Sequence, residues 1–193
     1  MDVTAAEGLP DRFLRTALPR RWAHSRGVGR AAAALAPWAG EHAETLTVAA
    51  LLHDVGYAPQ LAATGFHPLD GARYLRDRTR AGPLVVTLVA HHSGAMVEAA
   101  ERGLAGPLAA EFPLGPDPVP RLLAAVTYCD LSTTPDGTAT TPEERLEVLA
   151  RYPPDSAVHR VVARHGPVLL RETAAALGPQ ARQAAARAGP GAP

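Results

Sequence analysis

Leu51-Leu52-His53-Asp54-Val55-Gly56 sets an imidazole and a carboxylate side by side in an apolar run that should exclude both. Burying either group is costly without compensation, and a divalent cation is the commonest partner for the two together. The run extends back through Ala50, Ala49, Val48 and Leu46. Residues Glu44 to Val55 are therefore expected to form a central buried helix, apolar nearly all round and ended by Gly56. Neighbours on a helix of about 3.6 residues per turn project roughly 100° apart. His53 and Asp54 are thus not expected to clasp each other, but both should reach one ion beside the helix.

Working outward, proline and glycine divide the chain into further helices. Pro19 to Leu35 forms one that carries Arg21 and His24 and stops before Pro37. Another begins at His67, in the N-cap position with Pro68 suited to the first turn, and runs to about Arg80. Pro83 to His92 has strand-like composition, yet Pro83 at its start and Gly94 beyond its end favour helix. Ala95 to Leu104 continues helically, and Gly106 to Pro118 reads as loop. Val119 to Leu131 is helical, with Leu122, Leu123, Val126 and Asp130 on one face. Thr134-Pro135-Asp136-Gly137 is a turn, and Thr141-Pro142-Glu143-Glu144 opens a helix with a capping box. Two more helices are expected near Ser156 to His165 and Pro167 to Leu177. The fold class is all-α: an N-terminal segment over 1–17, one compact helical domain over 18–178, and a disordered tail over 179–193.

Composition bounds the function. At 193 residues the chain is one domain by length, of a size that buries roughly 70% of its unfolded surface. No stretch approaches the ~20 apolar residues of a membrane span, and Met1-Asp2-Val3-Thr4 lacks a signal pattern. The single cysteine, Cys129, rules out an internal disulfide and fits a reducing cytosol, so a cytoplasmic location is expected. It reads as a small apolar residue, not a nucleophile. Net charge is zero, which leaves no broad footprint for nucleic acid. All 19 cationic side chains are arginine; without lysine, Schiff-base chemistry and a Walker-type phosphate loop are excluded.

The order Arg21-Trp22-Ala23-His24-Ser25, Leu52-His53-Asp54-Val55-Gly56 and Asp130 resembles the HD-domain superfamily of metal-dependent phosphohydrolases over roughly residues 18 to 133. The resemblance implies an HD-type helical bundle in which His24, His53, Asp54 and Asp130 ligate a divalent ion (Mn, Fe, Co, Ni or Zn). One ion is expected, with a second as the alternative. In binuclear members two further histidines hold the second metal, and His67 and His91 resemble that pair, with Asp54 bridging. In mononuclear members histidines here contact the substrate phosphate, a role open to His92. Tyr57 stands where several relatives have lysine and where a nucleotidase subgroup has glutamate, so the chain is not a plain member of that subgroup. Gly56-Tyr57-Ala58-Pro59 also departs from the Gly-Tyr-Pro signature of the cyclic-di-nucleotide enzymes. Phosphate binding would then fall to arginines such as Arg21 or Arg73. A general acid must come from His67, His91 or His92.

The first functional expectation is hydrolysis of a small-molecule phosphate ester, a nucleotide or phosphorylated metabolite, with Asp54, His67 and His91 as catalytic residues. The second keeps the ligands but changes the chemistry to that of a di-iron oxygenase acting on a small substrate. The third is a non-catalytic ligand-binding module; retention of all four core ligand types ranks it last.

Overall fold

Each proline–glycine break falls between helices in the computed structural model, which describes residues 1–187. The order is α1 (Val3–Phe13), α2 (Pro19–Ala34), α3 (Ala36–Ala39), α4 (Ala43–Leu52), α5 (His67–Arg78), α6 (Pro83–His91), α7 (Ala95–Glu101), α8 (Ala105–Glu111), α9 (Val119–Leu131), α10 (Pro142–Leu149) and α11 (Ala157–Arg187). Short 3-10 turns link several of them. No strand occurs among the described residues; one isolated bridge joins Thr133 and Ala139. The fold is all-α, and none of the described helices is long and apolar enough to cross a membrane.

The apolar run places α4 at the centre. Leu46, Val48, Ala49, Ala50 and Leu52 are fully buried, and α4 packs against α1, α2, α6 and α9. Small residues on α2 permit the closest of these approaches. A Cβ at Gly29 would lie 2.4 Å from Leu51 Cδ2, so a larger residue there would have to displace the Leu51 side chain. The segment before residue 18 is itself α1, capped by Asp2, with Ala6 buried in the same core. The expected capping box is present: Thr141 accepts from the Glu144 amide, and Glu144 accepts from the Thr141 amide.

Four expectations are corrected. The central helix stops at Leu52, because Asp54 has left helical geometry (φ −100°, ψ 4°) and Val55–Tyr57 form a 3-10 turn. There the backbone turns aside onto the start of α5, so closely that a Cβ on Gly56 would sit 2.1 Å from the His67 carbonyl oxygen. The loop expected over Gly106 to Pro118 contains α8. Gly106 and Pro107 fall in its first turn, where proline is tolerated, and burial of Leu108 and Phe112 outweighs the weak propensity. The two helices expected after Ser156 are one, α11, interrupted only where Gly178 takes φ 71°. Within the expected tail, residues 179–187 are helical and bury Ala181 and Ala185 in the core; residues 188–193 lie outside the described part.

The connection between Asp54 and His67 has its own organiser. Buried Asp70 accepts the amides of Ala63, Thr64 and Gly65 and the Thr64 hydroxyl. That carboxylate fixes the loop and with it the entry of His67 into α5.

Candidate metal centre

Five elements converge on one buried cluster. The middle of α2 supplies His24, and the end of α4 supplies His53 and Asp54. His67 opens α5, His92 follows the last residue of α6, and Asp130 lies in the last turn of α9. His24 Nε2 is 2.9 Å from Asp130 Oδ1 and 3.8 Å from Asp54 Oδ2. His53 Nε2 is 3.3 Å from Asp54 Oδ2 and 3.8 Å from Asp130 Oδ1. The adjacent pair does meet, contrary to the regular-helix expectation, because Asp54 is already off the helix. On the far side, Asp54 Oδ1 is 3.3 Å from His67 Nε2 and 3.9 Å from His92 Nε2.

Backbone carbonyls fix the rings. His24 Nδ1 donates to Thr134 O (3.0 Å), His53 Nδ1 to Ala50 O (2.7 Å) and His92 Nδ1 to Val89 O (2.7 Å). Each imidazole that spends its Nδ1–H on a carbonyl presents the Nε2 lone pair, the arrangement found behind metal-ligating histidines. The Thr134 carbonyl is held in turn. Arg20 pairs with Asp136 and Arg30 donates to Gly137 O, so the 134–137 turn is clamped onto α2. Three Nε2 atoms thus face two carboxylates, and fully buried His53 Nε2 makes no hydrogen bond. Two overlapping sets, His24–His53–Asp130 and His53–Asp54–His92, each have ligand atoms within 4.8 Å of one another. These donors could hold a metal ion.

The electrostatics agree. Burial opposes ionisation of Asp54, but the Arg21 guanidinium (2.7 Å) and His53 more than offset it and hold the carboxyl well below its usual range. Asp130 is likewise held low: burial is outweighed by its hydrogen bond with His24 and the charge of His53. Burial disfavours the His53 cation, and Asp54 overrides it, raising the group to about 8. For His92, burial and then the neighbouring His53 and His67 lower it to about 3, so this ring stays neutral. Cys129 is fully buried; burial pushes its thiol up, away from nucleophilic chemistry.

Not every expected residue joins the cluster. His91 faces the opposite way, donating Nε2–H to Phe112 O (2.6 Å), and His92 takes the place expected of it. Arg73 is also elsewhere, bound to Glu111 on α8. Arg21 is at the site, bonded to Asp54 and lying 4.1 Å over the Tyr57 ring, which stacks on His67 at 3.9 Å. Two participants had no motif to announce them. Ser93 holds a left-handed backbone (φ 51°), strain of the kind that clusters at functional sites, and donates its hydroxyl to Asp130 Oδ2. Arg145 lines the cavity of about 370 Å³ that opens above Asp54, His92 and Asp130.

Comparison with curated proteins finds no match, and none is found among solved structures. The family model for the HD domain matches residues 21–134, a span that begins at Arg21 and takes in His24, His53-Asp54 and Asp130. With more than half of its length in that match, the chain belongs to the HD-domain family.

Proposed function

We propose that the chain is a metal-dependent phosphohydrolase that cleaves a small-molecule phosphate ester with metal-activated water. One observation carries the reading: three buried imidazoles, each with its Nδ1–H committed to a carbonyl, turn their Nε2 atoms toward a pair of carboxylates. The HD superfamily, made up mostly of metal-dependent hydrolases, supports it. His24, His53, Asp54 and Asp130 would hold the ion. A divalent ion there would supply a water of lowered pKa and a Lewis-acidic contact for a phosphoryl oxygen.

The remaining groups have separate tasks. Ser93 orients Asp130, and Arg21 sets the position of Asp54. Since His92 Nε2 carries a lone pair, the 3.1 Å contact between it and His67 Nε2 requires the proton on His67. His67 therefore holds a proton at Nε2 beside the cavity, where it can pass to the leaving oxygen as general acid.

A second reading rests on a different observation. Asp54 divides its oxygens, Oδ2 toward His24 and His53 and Oδ1 toward His67 and His92, as a carboxylate bridging two ions would. Two irons so placed would suit a di-iron oxygenase, with His92 in the ligand position expected of His91.

Elemental analysis of wild type and Asp54→Ala, followed by a phosphate-ester screen, decides. Bound Mn, Fe, Co, Ni or Zn that is lost in the variant together with phosphate release is the expected result. Metal and turnover both retained in Asp54→Ala would overturn the assignment. Two irons per chain with dioxygen uptake would move the chain to the second reading.

A further inference from the structure

The cavity over the carboxylates has two unlike surfaces. Its floor is polar: Asp54, His67, His92, Ser93 and Asp130. Its wall, from α10 and α11, is mainly aliphatic, with Leu146, Leu149, Val158, Val161, Val162 and Leu169, and the rings of Tyr57 and Tyr152 also line the cavity. Among these side chains sits Arg145, only 9% exposed. Its Nε is buried without a hydrogen-bond partner, and its guanidinium enters no ion pair or hydrogen bond among the described residues. The other arginines of the cavity are spoken for, Arg21 by Asp54 and Arg102 by Glu98. A buried guanidinium left uncompensated is costly, and a rigid fork of donors matches the oxygens of a phosphate or carboxylate.

The wall says what else the ligand carries. A nucleobase is recognised by hydrogen bonds along its edges, and side-chain amides are the usual readers. The chain has no asparagine, and none of its glutamines lines the cavity. Of the two tyrosines, Tyr57 is already covered by His67 and Arg21, and six aliphatic side chains favour carbon that needs no hydrogen bonds.

We infer that this cavity is a recognition pocket for a small phosphate ester with an aliphatic body: Arg145 binds the anionic oxygens and the α10–α11 wall takes the carbon skeleton. The identity of the anion rests on the hydrolase reading; the pocket itself does not.

The test is calorimetric binding to the protein as purified, using ligands that resist hydrolysis: ethyl-, butyl- and hexylphosphonate, with adenosine 5′-phosphorothioate for comparison. Affinity should rise about fourfold per added methylene until the pocket is full. Hexylphosphonate should bind more tightly than the nucleotide analogue. Arg145→Met should weaken every phosphonate at least tenfold and Arg145→Lys should restore part of the loss. Arg145→Met should also raise Tm, since it removes a buried unpaired charge; an arginine serving only structure would lower it. Affinity independent of chain length, or tighter binding of the nucleotide analogue, would overturn the aliphatic pocket. Unchanged affinity in Arg145→Met would overturn its role as anion receptor. Chain-length dependence needs no variant, so it stands even if Arg145→Met fails to fold. Failure of the hydrolase reading shows separately, as absent metal or absent phosphate release.

Discussion

His91 and His92 are neighbours with opposite fates, and one break in the backbone separates them. His91 ends α6 and spends its Nε2–H on the Phe112 carbonyl; His92, at φ −57° and ψ 154°, swings its ring into the cluster. Their substitutions should therefore behave differently. His92→Ala should lose the second ion if the site is binuclear and otherwise weaken metal binding through the loss of its support to His67 beside Asp54, whereas His91→Ala should keep its metal and lose about 1–3 kcal/mol of stability, the cost of an unpaired buried carbonyl. Metal content and denaturant unfolding of the two variants would check this, and equal metal loss in both would contradict it. The sequence carries no sign of the difference. Both histidines flank the line of Leu84 and Leu88, and the arbiter, Phe112, lies 21 residues downstream. The same holds for Arg73, whose partner Glu111 sits on a helix the sequence does not announce. His24, His53, Asp54 and Asp130 were legible as candidates because their order resembles the HD-domain pattern.

At the scale of elements, the junction of α4 with α5 sets the spacing of the cluster. Gly56 lets two backbones touch: a Cβ there would lie 2.1 Å from His67 O and 2.6 Å from Gly71 N. Neither obstacle is a flexible side-chain tip that could move aside. Gly56→Ala should thus cost more than about 2 kcal/mol, pushing α5 and His67 away from Asp54. Thermal unfolding and metal content measured on this variant would read both effects; near-wild-type values would mean the contact is not needed. The existence of α2, α5, α6 and α9 follows from periodicity and proline–glycine punctuation. The end of α4 and the whole of α8 do not, since a backbone approach and the burial of Leu108 and Phe112 decide them.

Across the whole molecule, the proposed ligands tie residue 24 to residue 130 through α2, the end of α4 and α9, so binding an ion couples to global stability. At a free-ion concentration about a hundredfold above Kd, binding adds about 2.7 kcal/mol. For a domain of this length each kcal/mol moves Tm by about 2–4 °C, so a chelator should lower Tm by roughly 5–10 °C in scanning calorimetry. An unchanged Tm would mean that the folded state holds no ion. The family match over 21–134 contains every proposed ligand, while the aliphatic wall and Arg145 lie beyond it, at 145–169. That division also runs along the time axis of synthesis. A chain leaving the ribosome N-terminus first exposes all the proposed ligands before α10 and α11 exist to roof them. The nascent protein can take up its ion while the cluster is still open to solvent, and the chamber closes over it afterwards.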